Sequence, residues 1–267
     1  MLKNLKNKIL VRIFEAFSNY IKKKNFTKLQ YYNKNISLLD INPITKFRSD
    51  SFFLKEPETL SYISLFKRTD IFWDVGANVG LYSIFAAKIK NCKVYSFEPS
   101  VFNLEILARN INKNNLQGKI NIIPLSLSNK NCEGSFNIAS DSYGSALSSF
   151  KNKKNKKNIY SYQTISFNSD FLINNKIIEK PDYIKLDVDG NEIDILNGIE
   201  KNISKVKSII LEMDYRNSSK IKMIHNYFKK NNFVLKSKNQ SQMIKKSIFK
   251  RVFNEVWYNK KFNFTSR

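Results

Sequence analysis

Apolar and polar positions along this chain switch between two periods. Leu2, Leu5, Ile9, Ile13, Phe17 and Tyr20 recur every three or four residues with lysines between them, which predicts an amphipathic helix. Irregular, polar chain is expected from there to about residue 50. From Pro57 onward, helical and strand-like segments take turns. A helix near Glu58 to Phe66 precedes the apolar run Ile71, Phe72, Trp73, and a helix is expected over Leu81 to Lys90. A strand at Lys93 to Phe97, a helix over Val101 to Asn114 and a strand at Ile120 to Ile123 follow, and then a Ser-rich stretch runs to Phe150. Apolar strands return at Tyr183 to Leu186 and Ser208 to Leu211. Strands separated by helices imply right-handed βαβ units and a mostly parallel sheet, whose ligands collect at the carboxyl ends of the strands.

Composition narrows this further. With 42% hydrophobic and 13% aromatic residues among 267, the chain has enough apolar surface for a sizeable core, which excludes a disordered basic protein or a histone-like tail. Five prolines and seven glycines leave no linker between two domains. We therefore expect an N-terminal helical extension over residues 1–50, one domain over 51–240, and a C-terminal segment over 241–267 that completes the sheet. Cys92 and Cys132 are too few for a disulfide framework or a four-ligand zinc site, so a reducing cytoplasm is the expected location. Lys3, Lys6, Lys8, Arg12 and Glu15 interrupt the first apolar pattern, which rules out a signal peptide or a membrane span there. That helix either packs on its own domain or lies on a membrane surface as a peripheral contact.

The formal net charge is +24, from 46 Lys and Arg against 22 Asp and Glu. Lysine arrives with much asparagine and isoleucine, a mixture that low-GC codon usage produces without selection for anions. Most of the charge is lysine spread along the chain, and no RNA-binding module accompanies it, which argues against nucleic acid as a partner. The densest run, Lys151 to Asn158, reads as a solvated loop, with contact to an anionic acceptor or lipid headgroup as the functional alternative.

Candidate chemistry begins at IFWDVGANVGLYS. Asp74 ends an apolar strand, Gly76 and Gly80 sit in the turn, and a helix starts near Leu81. The order D-x-G-x-x-x-G, with Asn78 where a dinucleotide fingerprint has its middle glycine, differs from G-x-G-x-x-G. A carboxylate just ahead of the loop repels pyrophosphate and suits the ammonium of a methionine-type cofactor. Glu98, in VYSFEPS, follows Gly80 at close to the ~20-residue spacing of an acid that accepts both ribose hydroxyls.

Four motifs in order, DVGANVGLYS, FEPS, LSNKNCEGSF, and IKLDVDGNEIDILNG with IILEMD, resemble the FkbM family of S-adenosylmethionine-dependent methyltransferases from about Asp70 to Phe233. The resemblance implies an α/β, seven-stranded Rossmann-like methyltransferase fold with a mostly parallel, doubly wound sheet of order 3-2-1-4-5-7-6. It implies S-adenosyl-L-methionine as cofactor and O-methylation of a small-molecule or glycan acceptor, often a sugar. Carried onto this sequence, Asp74, Gly76, Ala77, Asn78, Gly80, Ser83 and Glu98 belong to the cofactor site. Ser126 or Leu127 then lies near the adenine.

Within YIKLDVDGNEIDILNG, Asp187 ends a strand and is followed by Asp189, Gly190 and Glu192. An alcohol is a poor nucleophile, so methyl transfer to oxygen needs in-line proximity and a group that removes the hydroxyl proton. Asp187 is the candidate for that role, with Glu192 a second catalytic candidate. Asp189 and Glu192 also read as a capping box that needs no catalysis. Glu212 and Asp214 end SIILEMD beside Asp187, and hard oxygen ligands there suit Mg²⁺, although no metal ligand set is assigned. DSYGSALSS, residues 141–149, is either an acceptor contact or a polar loop. His225 lies within an amphipathic helix and reads as a helix-border residue. The competing hypothesis is a nucleic-acid or membrane-surface binding protein on a methyltransferase fold; its affinity would collapse with salt, whereas cofactor binding would not.

Overall fold

The computed structural model describes residues 2–151, 159–245, 247 and 250–262, with the side chains of 2–6, 151 and 242 left aside. Most of the lysine run at 151–158 therefore lies outside the described residues.

The sheet that organises the molecule has seven strands. They are β3 (Ile71–Val75), β4 (Lys93–Phe97), β5 (Ile120–Ile123), β10 (Tyr183–Leu186), β11 (Ser208–Asp214), β12 (Phe233–Asn239) and β13 (Val252–Asn259), in the order β12-β13-β11-β10-β3-β4-β5. Numbered by their place within this sheet, the order from the β5 edge is 3-2-1-4-5-7-6, as the resemblance implies. Strands β3, β4, β5, β10 and β11 run parallel, while β13 inserts antiparallel between β11 and β12. The C-terminal segment thus supplies an interior strand of the sheet.

Both faces of the sheet are covered, so the central strands read as continuous apolar runs. On one side Phe72, Val94, Ile120, Ile84, Phe85 and Leu107 pack beneath α4 (Pro57–Ser64), α5 (Leu81–Phe85), which continues as a π-helical turn to Lys90, and α6 (Val101–Lys113). On the other Trp73, Phe97, Ile184, Leu211 and Trp257 pack against α7 (Ser169–Asn174), α8 (Glu192–Gly198) and α9 (Ser218–Lys230). The alternation along β3 is plain: Phe72 faces the first cluster, Trp73 and Val75 the second.

Two parts differ from the sequence reading. Residues after the first helix, α1 (Leu2–Lys24), are not irregular; β1 (Phe26–Tyr31) and β2 (Lys34–Leu39) form an antiparallel hairpin, and α2 (Pro43–Asp50) and α3 (Phe52–Lys55) follow it. Ile36, Leu38 and Leu39 are buried in the first cluster, and Asn110 of α6 and its C-cap Asn114 accept the Leu39 and Ser37 amides through their side-chain oxygens at 2.8 and 2.9 Å. Asparagine side chains thus complete the backbone bonding of β2, a pairing that hydropathy does not register.

The second difference is the Ser-rich stretch, which builds a four-stranded sheet of order β6-β9-β7-β8 from β6 (Ser126–Ser128), β7 (Cys132–Ile138), β8 (Ser149–Lys151) and β9 (Tyr160–Asn168). A short α10 (Gln242–Lys245) precedes β13. Among the described residues, no helix is long and apolar enough to cross a membrane.

Candidate functional site

Parallel strands β3, β4 and β10 end at the same edge, and the loops leaving them surround a cavity of about 680 Å³. Small-molecule sites typically enclose ~300–1,000 Å³. Its walls come from the glycine loop after β3, from Glu98 after β4, from Ser126 and Leu127 of β6, and from Asp187 to Glu192 after β10. Residues 144–149 close one side, and Arg48 and Lys55 enter from α2 and α3.

The glycine loop is held flat against the chain that follows β10. Gly76 has φ +84°, and a Cβ there would lie 1.9 Å from the Asp187 carbonyl oxygen, so the close approach admits only glycine. Asn78, also left-handed at φ +52°, donates its side-chain amide to the Ser145 carbonyl at 2.7 Å and ties the loop to the opposite wall. The loop's amides are already committed: Gly76 and Ala77 both donate to the Phe97 carbonyl at 3.0 Å, Asn78 to Glu98, and Val79 to the Asn78 side chain. This is not a cradle of free N–H groups for pyrophosphate.

Glu98 is buried and accepts from the Asn78 amide at 2.7 Å and the Ser100 amide at 2.8 Å, one on each oxygen. Burial outweighs those bonds and pushes its pKa up to about 7. Each oxygen keeps acceptor capacity, so a fixed carboxylate is ready for a pair of hydroxyl donors.

Of the proposed cofactor residues, Gly76, Asn78, Glu98, Ser126 and Leu127 line the cavity, and so do Asp187 and Glu192. Asp74, Ala77, Gly80 and Ser83 are not among its lining residues. Asp74 is buried beneath the loop, accepts the Ser83 hydroxyl at 2.6 Å, and keeps its second oxygen without a hydrogen-bond partner among the described residues. Strand alternation explains this, since Asp74 shares a sheet face with Lys185, its register partner on β10, rather than with Val75 at the cavity wall.

Lys185, with Lys55 and Glu56, joins Asp187 and Glu212 in a charged group, and sequence inspection did not single out those first three. Lys185 is 3% exposed, bonds Asp187 at 2.6 Å, and lies 4.9 Å from the centre of the Tyr82 ring. A buried lysine in an apolar strand is rare unless paired, and the Lys in YIKLD was the available signal. Glu56 is buried beside it, bonded to Lys55 at 2.9 Å and to the Thr59 hydroxyl at 3.1 Å. One carboxylate oxygen each from Glu56, Asp187 and Glu212 lie within 4.8 Å of one another. Burial opposes charge on Glu56, yet Lys55 and Lys185 hold it well below the usual carboxylate range. Burial, with the charges of Asp187 and Glu56, pushes Glu212 well above that range. Lys55 and Lys185 thus pair with Glu56 and Asp187, two of the three acids that would face Mg²⁺. Asp214 is held by Arg216 through a fork at 2.6 and 2.9 Å.

Asp189 stands at the cavity wall, where desolvation and then Asp187 raise it to about 6. The capping box is not formed: Asn191 occupies the N-cap of α8 and makes no side-chain cap bond. Glu192 is instead buried and ion-paired with Lys220 of α9. His225 bonds Glu255 at 3.0 Å and packs edge-on against Trp257, away from the cavity lining. Burial pushes the Cys92 thiol up to about 12, which makes it a poor nucleophile.

Comparison with known proteins adds the family. The hexuronic acid methyltransferase AglP of Haloferax volcanii is 25% identical over 144 residues, 54% of this chain and 56% of that protein. A tRNA (guanine(37)-N(1))-methyltransferase of Dictyostelium discoideum is 35% identical over 65 residues, 24% of this chain and 14% of that protein. The matched stretches thus span about half of the first relative and far less of the second. Among solved structures, M. jannaschii TYW2 in complex with AdoMet covers 87% of this chain and 84% of its own, at 14% identity and a TM-score of 0.43. A Methyltransferase FkbM domain model matches residues 74–235, from the end of β3 into β12, including the loops that follow β3, β4 and β10. With more than half of its length inside that match, the chain belongs to the FkbM family of S-adenosylmethionine-dependent methyltransferases.

Proposed function

We propose that this chain transfers a methyl group from S-adenosylmethionine to a hydroxyl of an acidic saccharide, a hexuronic acid or a glycoconjugate precursor containing one. The observation that carries the reading is the single cavity that joins the Glu98 and Asn78 wall to Asp187 and to the cations Arg48 and Lys55. The relative named as a hexuronic acid methyltransferase supports the acceptor class.

Bound S-adenosylmethionine supplies an electrophilic methyl group. In this reading Glu98 accepts the two ribose hydroxyls, its carboxylate already oriented by the Asn78 and Ser100 amides. Ser126 and Leu127 border the adenine side. Asn78 and the backbone around Gly76 close the cofactor end against Asp187. Asp187 would accept the proton of the acceptor hydroxyl, and the cofactor, once bound, would give up its methyl group to that hydroxyl oxygen by breaking its sulfur–methyl bond and leave as S-adenosylhomocysteine. Lys185 holds the Asp187 carboxylate in place at 2.6 Å. Glu192, paired with Lys220, fixes the rim of the cavity. Arg48 donates its Nε to the Gly144 carbonyl at 2.6 Å, which leaves its terminal nitrogens to fork a uronate carboxylate.

The test is calorimetric titration with S-adenosylmethionine and S-adenosylhomocysteine, followed by methyl transfer to glucuronides and galacturonides beside neutral glycosides. Salt-insensitive cofactor binding and a preference for the acidic acceptors are expected. In Asp187→Asn, turnover should fall by about 10²-fold or more while the cofactor still binds. Folded protein that binds neither cofactor form would sink the proposal, and normal turnover by Asp187→Asn would move the base elsewhere.

A further inference from the structure

Helix α1 carries an apolar face that the other described residues do not cover. Ile9, Ile13, Phe17 and Tyr20 follow one another at three- and four-residue steps, and Leu10 and Phe14 lie beside them, so the apolar residues occupy about half the helix surface. Leu10 is 63% exposed, Ile13 61% and Phe14 72%. From residue 7 to 17 every position is exposed; only Ser18, Ile21 and Lys22 of the described helix side chains are half-buried. Scattered single apolar residues on a surface need no explanation, but a contiguous face of this kind does.

The foot of the helix is fixed to the body. Lys22 pairs with Glu105 of α6 at 2.7 Å and lies 5.8 Å from the centre of the Tyr143 ring. Tyr143 adjoins Gly144 and Ser145, which line the cavity. The exposed helix therefore projects from the rim of the candidate site.

Charge decides what covers that face. The helix holds Lys3, Lys6, Lys8, Arg12, Lys22, Lys23 and Lys24 against one acid, Glu15. A second copy would bring two such basic helices together with one acid each to offset them. A basic helix with an apolar half and polar flanks matches the interface of an anionic bilayer, where the apolar side chains enter the acyl boundary and lysines meet phosphate. Codon bias accounts for lysine, but it does not gather Ile, Leu and Phe onto one face.

We propose that α1 is a peripheral anchor that lays this chain on an anionic phospholipid surface, with the cavity rim held close to the membrane. The inference is independent of the acceptor reading, since lipid binding and cofactor binding are measured separately.

The test is co-sedimentation of the whole chain with phosphatidylcholine vesicles, and with vesicles in which about a third of the lipid is phosphatidylglycerol. Wild type is compared with a Phe14→Ser, Phe17→Ser double variant, whose melting temperature and S-adenosylmethionine affinity check that the fold is intact. Partition into the anionic vesicles about tenfold or more above neutral ones, lost in the variant, is the expected result. Absence of partition overturns the proposal. So does partition that the variant retains, which would belong to the general basic surface, and so does a dimer seen by light scattering that the variant dissociates without any vesicle binding.

Discussion

Glu98 offers the sharpest quantitative test, because one buried carboxylate links folding, pH and cofactor binding. Its pKa of about 7 in the folded chain stands against 4.5 for an unperturbed glutamate, with burial as the main cause. The folded state therefore holds this proton more tightly than the unfolded one. Below about pH 4.5 both states are protonated and Glu98 costs nothing; between 4.5 and 7 stability falls as pH rises; above 7 the cost is complete. A displacement of this size corresponds to about 3 kcal/mol at ~1.4 kcal/mol per unit. Glu98→Gln removes the titration. The difference in stability between variant and wild type, from urea melts, should be near zero at the acid end and grow in favour of the variant by up to about 3 kcal/mol at pH 8. Cofactor binding should show the opposite preference, since ribose hydroxyls donate to the ionised form. Wild-type affinity for S-adenosylmethionine should rise by up to about tenfold per pH unit up to pH 7 and then level off, with proton release below pH 7. The variant should bind more weakly, with that pH dependence gone. Affinity that is flat from acid to alkaline pH, without proton release, would refute the assignment of Glu98 to the ribose.

Three further outcomes follow from the geometry. Gly76→Ala must place a Cβ against the Asp187 carbonyl at positive φ, and thermal melts should show a loss of about 2 kcal/mol or more; an unchanged melting temperature would contradict the packing of the loop. Lys185→Met leaves Glu56 and Asp187 without their shared cation, so urea unfolding at pH 8 should show a loss of about 3–5 kcal/mol that shrinks in acid as Glu56 protonates. Arg48→Ala should raise KM for a uronate acceptor by about tenfold or more while leaving neutral acceptors and cofactor affinity unchanged, and equal effects on both acceptor classes would remove Arg48 from carboxylate recognition.

Much of the central sheet could be read along the chain because its signals are local. Lys93 to Phe97, Ile120 to Ile123 and Tyr183 to Leu186 are short apolar runs bounded by polar residues, and all three are strands with those limits. Positive φ at Gly76 and Gly80, and the position of Glu98 after the next strand, are likewise carried by residue type and spacing. The sheet made by β6 to β9 was not legible, since β6 and β7 find β9 across intervals that contain other elements, and a stretch rich in serine and asparagine has the composition of a loop.

The sequence by itself determined the βαβ order, the glycine loop, the acids at the strand ends and the amphipathic spacing of α1, because each depends on neighbours within a few residues. Only the tertiary structure decided which of those residues meet. Strand alternation took Asp74 beneath the loop while its neighbour Val75 reached the cavity. Packing of α2 and α3 brought Arg48, Lys55 and Glu56 to a site whose other residues lie far along the chain. It also left the apolar half of α1 in solvent. Coulomb energy and desolvation depend on distance and on excluded water, so the charge state of Glu98, Glu212 and Lys185 exists only once the chain has closed around them.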